Sequence, residues 1–99
     1  MMRFSLKNNN IQISVIIPTL NTRPEFLKEA LNSFEKQSYL PFEVIIVNNG
    51  QEDLTVPRTS LNIRYFKIVF RSGVAQARNF GGNLSNGNYL AFLDDDDLW

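Results

Sequence analysis

The sequence contains neither cysteine nor histidine. Without cysteine, the chain can form no disulfide and can offer no catalytic thiolate. Without histidine, it lacks the commonest general base, any Ser-His triad and the ligands of most zinc sites. Any metal ion must therefore be held by oxygen ligands, and any catalytic proton transfer must use another kind of side chain.

Long apolar runs and a net charge are also missing. The longest apolar runs are four to six residues, whereas a membrane helix needs about 20. Residues 1–10 contain no signal-peptide core, so we expect a disordered lead there and a cytoplasmic location, or the membrane surface for a longer protein. Lysine plus arginine equal aspartate plus glutamate at 10 each. We therefore expect no membrane span and no nucleic-acid partner.

What the sequence does contain is an alternation of β-branched runs and helical periodicity. Pro18 is expected to end the first strand, and Thr22 with Glu25 resembles a capping box at the start of a helix. The predicted elements are a strand at 11–17, a helix at 23–37, strands at 42–47 and 63–70, a helix at 74–84 and a strand at 89–93. This alternation is typical of an α/β fold with a mostly parallel open sheet.

The handedness of parallel crossovers restricts the order of these strands. If the first three strands progress outward and the second helix covers the other face, the fourth strand must return beside the first. The predicted order is 3-2-1-4, with helices on both faces of the sheet. Ligands bind such sheets outside the carboxyl ends of the strands, at the point where the order reverses. The segments that would meet there are Pro18–Asn21 and Asp94–Asp97.

Asp94–Asp97 form an acidic cluster at the end of the last apolar run. Two like charges about 4 Å apart repel by about 4 kcal/mol at an effective dielectric of about 20, and a divalent cation reverses that penalty. In an extended chain, Asp94 and Asp96 point to the same side and Asp95 to the other. The cluster therefore predicts a Mg²⁺ or Mn²⁺ site, and the alternative is a solvated acidic loop. The spacing fits neither an EF-hand nor a P-loop.

Four segments, in order over residues 11–99, resemble the family 2 glycosyltransferases of the GT-A fold. The first strand, with Pro18-Thr19-Leu20-Asn21, and the second strand are similar to the family's opening strands. Gly73-Val74-Ala75-Gln76-Ala77-Arg78-Asn79 resembles its G-x-x-x-A-R-N segment. Gly87-Asn88-Tyr89-Leu90-Ala91-Phe92-Leu93-Asp94-Asp95-Asp96-Asp97-Leu98-Trp99 resembles its G-x-Y-[IL]-x-F-L-D-x-D-D-x-W block.

The resemblance implies an inverting, metal-dependent transferase that moves a sugar from a nucleotide-diphosphate sugar, with a UDP-sugar favoured, to an acceptor hydroxyl. Residues 11–99 would be the Rossmann-like, donor-binding part. Among the residues that would contact the nucleotide, Pro18 and Thr19 would line the base pocket largely through their backbone, and Arg78 would reach the diphosphate. The other implied roles belong to Asn21 in the nucleotide site, Asn49 at the uracil ring, Asp95 at the ribose, Asp96 at the metal and Asp94 in its water shell.

The sequence departs from the family pattern where Val47-Asn48-Asn49-Gly50-Gln51 replaces V-D-D-G-S. Asn49 is a neutral acceptor, and charge-assisted hydrogen bonds are roughly twice as strong as neutral ones, so the nucleotide base stays open. A non-catalytic nucleotide- or metal-binding module and a nucleotidyltransferase are the alternatives.

The chain ends at Trp99, directly after the acidic cluster and Leu98. We therefore expect a truncated segment whose catalytic base and acceptor site lie beyond Trp99, and self-association through exposed Leu98 and Trp99.

Overall fold

The computed structural model describes residues 11–20, 24–50, 52–68 and 73–94. Within these ranges, four strands alternate with two helices. In chain order, the elements are β1 (Ile13–Thr19), α1 (Pro24–Glu35), β2 (Glu43–Asn48), β3 (Ile63–Lys67), α2 (Val74–Leu84) and β4 (Tyr89–Phe92). All six predicted elements are present. The helix predicted to reach residue 37 ends at Glu35 because Lys36 and Gln37 donate to carbonyls three residues back, as in a 3₁₀ turn.

The four strands form a single parallel sheet in the order β3-β2-β1-β4. The predicted order and fold class are therefore confirmed. β1 lies in the centre, with Ile13 level with Tyr89 of β4 and Ser14 level with Glu43 of β2. The order reverses between β1 and β4, so this pair marks the place where a ligand site is expected.

The prediction that Pro18 ends the first strand was wrong, because β1 continues to Thr19. The carbonyls of Ile13 and Thr19 accept hydrogen bonds from the β2 side, whereas the carbonyl of Ile16 accepts from Leu93 on the β4 side. By the alternation of a parallel strand, Pro18 shares the orientation of Ile16. β4 pairs with β1 only as far as Ile16, so the missing N–H of Pro18 removes no hydrogen bond from the ladder.

The two helices cover opposite faces of the sheet. In α1, Leu27 and Leu31 are 4% and 1% exposed and pack on the face that contains Val15 and Ile17. Phe34 follows at the helical spacing and is half-buried against the same cluster. In α2, Ala77 and Phe80 pack on the other face, over Ile16, Ile45 and Val47. The buried parallel strands read as nearly continuous apolar runs because both of their faces are covered.

A buried carboxylate fastens the amino end of the sheet. Glu43 is 1% exposed, and its Oε2 accepts hydrogen bonds from the Ser14 hydroxyl at 2.7 Å and the Asn86 N–H at 2.6 Å. The Arg64 guanidinium donates to its Oε1 at 3.1 Å. The Ser14 hydroxyl in turn accepts from the Gly87 N–H at 2.9 Å. The turn before β4 is thereby tied to β1 and β2, which sets where β4 begins.

β4 is the most exposed strand. Tyr89, Leu90 and Phe92 are 58%, 46% and 47% exposed. Near the amino half of the same edge, an apolar groove of about 180 Å³ lies beside α1; its lining includes Ile13, Val15, Phe34, Leu40, Pro41 and Ala91. In the described part of the chain, neither helix has the length and hydropathy to cross a membrane.

Candidate functional site at the carboxyl end of the sheet

The tips of β1 and β4 are adjacent, as the predicted topology requires. The last paired residues are Ile16 and Phe92, and the Leu93 N–H donates to the Ile16 carbonyl at 3.0 Å. The same register places Asp94 about level with Pro18. The first acidic residue of the cluster therefore emerges beside the end of the central strand. We call this region, formed by residues 18–20, 48–50, 73–78 and 93–94, the carboxyl rim.

Arg78 and Asp94 form an ion pair at the carboxyl rim. Alternation along β4 puts Asp94 on the same face as Phe92, which is the face covered by α2, and α2 carries Arg78. The Arg78 Nη2 donates to the Asp94 Oδ2. Their side chains are 38% and 36% exposed, and such half-exposed pairs contribute about 0–1 kcal/mol to stability.

One donor of the Arg78 guanidinium is unused by the residues that the structure describes. Its Nε is buried and has no hydrogen-bond acceptor among the described residues. A buried N–H without an acceptor costs about 1–3 kcal/mol, so this atom is a point where a ligand oxygen would gain a partner. The amino end of α2 lies at the same rim, since a helix between parallel strands runs antiparallel to them.

Gly73 precedes α2 with φ 80°, and no described side chain caps the helix there. A side chain at this φ would be strained, which accounts for glycine. The N–H groups of the first turn of a helix carry partial positive charge. Together with Arg78, they make this part of the rim suited to an anion, and Asp94 makes the adjacent part suited to a cation.

The end of β2 closes the rim on the other side of β1. The Asn49 N–H donates to the Thr19 carbonyl at 2.8 Å, which brings these two predicted nucleotide-binding residues together. Gly50 packs against the chain after β1: a Cβ on Gly50 would lie 2.2 Å from the Leu20 carbonyl oxygen. Any larger residue at position 50 would push the two loops apart.

Asn48 is fully buried and holds the loop that follows β2. Its Oδ1 accepts from the Gly50 N–H at 2.8 Å, and its Nδ2 donates to the Glu52 carbonyl at 2.9 Å and to the Tyr65 hydroxyl at 3.1 Å. The Gly50 N–H can only donate and the Glu52 carbonyl can only accept, so these partners fix the orientation of the amide. An aspartate could not make the bond to Glu52.

Five predicted site residues therefore lie at the carboxyl rim: Pro18, Thr19, Asn49, Arg78 and Asp94. Thr19 is 4% exposed and Pro18 is fully buried, so their side chains face the core and their backbone borders the rim. Asn21, Asp95 and Asp96 lie outside the described residues, as do Leu98 and Trp99. The residues that the structure describes contain no group of acidic side chains that could hold a metal ion, and the metal site stays a prediction.

The structural roles of two buried polar residues were not predicted by the sequence analysis. Glu43 holds the turn before β4, and Asn48 holds the loop beside Asn49. Both had a visible signal, because each is a polar residue at the end of the apolar run 44–47. A polar side chain in such a position is either exposed at a strand end or buried with partners, and the sequence does not distinguish these cases.

Comparison with known proteins gives concordant results. The model of the family described as glycosyl transferase family 2 matches residues 14–99. An uncharacterized glycosyltransferase of Rickettsia felis is 38% identical over 96 residues, which cover 92% of this chain and 16% of that protein. An uncharacterized glycosyltransferase of Haemophilus influenzae is 34% identical over 89 residues, covering 88% of this chain and 30% of that protein.

The glycosyltransferase GlyA of Streptococcus pneumoniae is 33% identical over 91 residues, covering 87% of this chain and 13% of that protein. The chain thus spans less than a third of the length of these relatives, 16%, 30% and 13% respectively. The similarity extends over nearly all of this chain, 92%, 88% and 87% respectively.

Proposed function

The chain belongs to glycosyl transferase family 2, and we propose that it is the donor-binding part of a metal-dependent, inverting glycosyltransferase. The donor would be a nucleotide-diphosphate sugar, with a UDP-sugar favoured by the resemblance. The observation that carries the proposal is the adjacency of the β1 and β4 tips, with Arg78 and Asp94 at the rim between them. It brings a cationic and an anionic group to the place where open α/β sheets bind ligands.

The donor groups at the rim fit a diphosphate and a divalent cation. The buried Nε of Arg78 has no acceptor within the part of the chain that the structure describes, and a phosphate oxygen would provide one in the geometry that guanidinium groups favour. The Asp94 carboxylate supplies the oxygen chemistry that Mg²⁺ and Mn²⁺ prefer. In this proposal, Asp94 and Asp96 hold the cation, and Asp95 contacts the ribose. The bound cation would neutralise the charge that develops on the leaving nucleoside diphosphate.

The base and ribose would be positioned by the remaining predicted residues. Pro18 and Thr19 offer backbone atoms beside the rim, and Asn49, fixed to Thr19 through its N–H, offers an amide to the base. Asn21, which follows β1 in the sequence, would also contact the nucleotide. The acceptor oxygen would attack the anomeric carbon as the bond to the diphosphate breaks, and its proton would pass to a base outside this chain. We therefore expect the 99-residue chain to bind the donor without transferring sugar.

The first experiment is calorimetric titration of the chain with UDP, GDP, CDP and UTP, each with and without Mn²⁺. We expect Mn²⁺-dependent binding of a nucleoside diphosphate. Replacing Arg78 with Gln should weaken that binding about tenfold or more, because hydrogen bonds to charged groups contribute about 1.5–3 kcal/mol. Arg58→Gln removes the same charge from an exposed loop and should leave the affinity unchanged.

The alternative function is a non-catalytic nucleotide-binding module. The neutral Asn49 favours it, since the family pattern has an aspartate there. Donor binding by this chain, without sugar transfer by a longer protein containing it, would select this alternative. Preference for UTP over UDP would select a nucleotidyltransferase, and absence of all nucleotide binding would contradict the proposed function.

A further inference from the structure

The Arg78–Asp94 ion pair joins the two groups that the proposed function assigns to different ligands. Arg78 is assigned to a diphosphate and Asp94 to a divalent cation, yet each is the other's partner at the rim. A cation that bound at Asp94 alone would lie beside the positive charge of Arg78. A diphosphate that bound at Arg78 alone would lie beside the negative charge of Asp94. Each ligand by itself therefore meets a like charge.

Resting on the proposed function, we propose that this ion pair makes the rim selective for a diphosphate and a divalent cation that bind together. With both bound, Asp94 would exchange Arg78 for the cation, and Arg78 would exchange Asp94 for a phosphate oxygen. Each side chain exchanges one oppositely charged partner for another. Neither charge is left unpaired, which neither ligand alone achieves.

Breaking this ion pair costs little free energy. Both side chains are more than a third exposed, at 38% and 36%, so water screens the pair and its loss costs little stability. Arg78 also stands to gain, because its buried Nε has no acceptor among the described residues. A phosphate can accept from two guanidinium nitrogens at once, whereas the Asp94 carboxylate engages Nη2. The exchange therefore adds a hydrogen bond on the anion side.

Coupling of this kind is reciprocal. If the cation raises the affinity for the diphosphate by some factor, the diphosphate must raise the affinity for the cation by the same factor. Removing either member of the ion pair should remove the penalty on the other member's ligand. The expected gain for each single ligand is about fivefold, the lower end of typical coupling between sites.

The first test measures Mn²⁺ binding to the 99-residue chain in the absence of nucleotide. Arg78→Gln frees Asp94 and should tighten Mn²⁺ binding by about fivefold, while Arg58→Gln, with the same loss of charge at an exposed position, should not change it. A purely structural role for Arg78 predicts no tighter binding. Unchanged or weaker Mn²⁺ binding by Arg78→Gln, in a protein with an unaltered circular dichroism spectrum, would overturn the proposal.

The second test measures inorganic pyrophosphate binding in EDTA, because this probe senses Arg78 without depending on the nucleotide base. Asp94→Asn frees Arg78 and should tighten pyrophosphate binding by about fivefold, while Asp53→Asn, at an exposed position beside Lys67, should not. Failure of Asp94→Asn to gain affinity also overturns the proposal. These outcomes are independent of the proposed function, which fails when the wild-type chain binds no nucleoside diphosphate in the presence of Mn²⁺.

Discussion

At the scale of single residues, Asn48 shows why this chain departs from the acidic pattern after β2. Its amide donates to the Glu52 carbonyl and accepts from the Gly50 N–H, and a carboxylate cannot do both. We expect Asn48→Asp to lower the free energy of unfolding by about 1–3 kcal/mol, the cost of leaving a buried polar group unpaired. Urea unfolding at neutral pH measures the difference.

The neighbouring Asn49 provides the matched control. It is half-buried at the rim, and its backbone N–H makes the bond to Thr19, which Asn49→Asp leaves in place. We expect this variant to lose less stability than Asn48→Asp, because the Asn49 side chain is half-buried whereas that of Asn48 is fully buried. Equal losses of stability in the two variants would show that the amide of Asn48 has no special role.

The sequence identified the rim residues but not what most of them contact. Arg78 and Asp94 were assigned to a diphosphate and a cation by resemblance, and the structure adds that they pair with each other. That pairing depends on the face of β4 that α2 covers, which is a tertiary property. Glu43 was missed for the same reason, because its partners lie 21 to 43 residues away along the chain. For Asn48, the sequence does not show that the side chain is buried, although two of its partners, Gly50 and Glu52, are close in sequence.

At the scale of elements, α2 approaches the sheet most closely at Gly81. A Cβ on Gly81 would lie 2.5 Å from Cγ2 of Ile16 and 3.4 Å from Cγ2 of Val47, and Ile16 is fully buried. Alanine favours a helix over glycine by about 1 kcal/mol, but overpacking a core costs about 1–3 kcal/mol. We therefore expect Gly81→Ala to lower the melting temperature by a few degrees.

Gly82→Ala makes the same chemical change one residue further along α2. Its Cβ would lie 3.5 Å from Cδ1 of Leu90, which is an ordinary van der Waals contact. We expect Gly82→Ala to raise the free energy of unfolding by up to about 1 kcal/mol, the gain in helix propensity. Thermal unfolding of the two variants should thus shift in opposite directions, and a shift in the same direction would contradict this account of the α2 packing.

The elements and their order could be predicted because they depend on local periodicity and on the handedness of crossovers. The strand order 3-2-1-4 needed no knowledge of any contact, and the helix at 74–84 has the predicted bounds. The end of β1 could not be predicted in this way. Pro18 interrupts a strand only if a neighbouring strand would otherwise accept a hydrogen bond from the N–H that proline lacks. On that side of β1 the neighbour is β4, which pairs with β1 only as far as Ile16.

At the scale of the whole molecule, the two ends of the sheet have different roles. At the carboxyl rim, Arg78 and Asp94 form a half-exposed ion pair, and the Nε of Arg78 has no hydrogen-bond acceptor among the described residues. At the amino end, Glu43 accepts hydrogen bonds from Ser14 of β1, Arg64 of β3 and Asn86 in the turn before β4. Charge that could be exchanged with a ligand thus lies at one end, and charge that holds the sheet together lies at the other.

This division predicts how stability depends on pH. Burial raises the pKa of Glu43, but hydrogen bonds from Asn86, Ser14 and Arg64 outweigh it, and the pKa lies below its ordinary value of 4.5. A carboxylate with a lowered pKa in the folded state stabilises the fold above its unfolded pKa, and this contribution is lost as the pH falls through the folded pKa. Unfolding free energies should therefore decrease as the pH is lowered below 4.5.

Glu43→Gln tests the source of this dependence. The variant should be less stable than the wild type at pH 7 by about 2 kcal/mol, because hydrogen bonds to a charged acceptor contribute about 1.5–3 kcal/mol. It should also lose less further stability on acidification, since the group that titrates has been removed. Glu29→Gln removes the same charge from an exposed position on α1 and should follow the wild-type curve. If Glu43→Gln lost as much stability as the wild type between about pH 5 and pH 3, the acid sensitivity would arise from other groups, and the hydrogen bonds of Glu43 would not be its source.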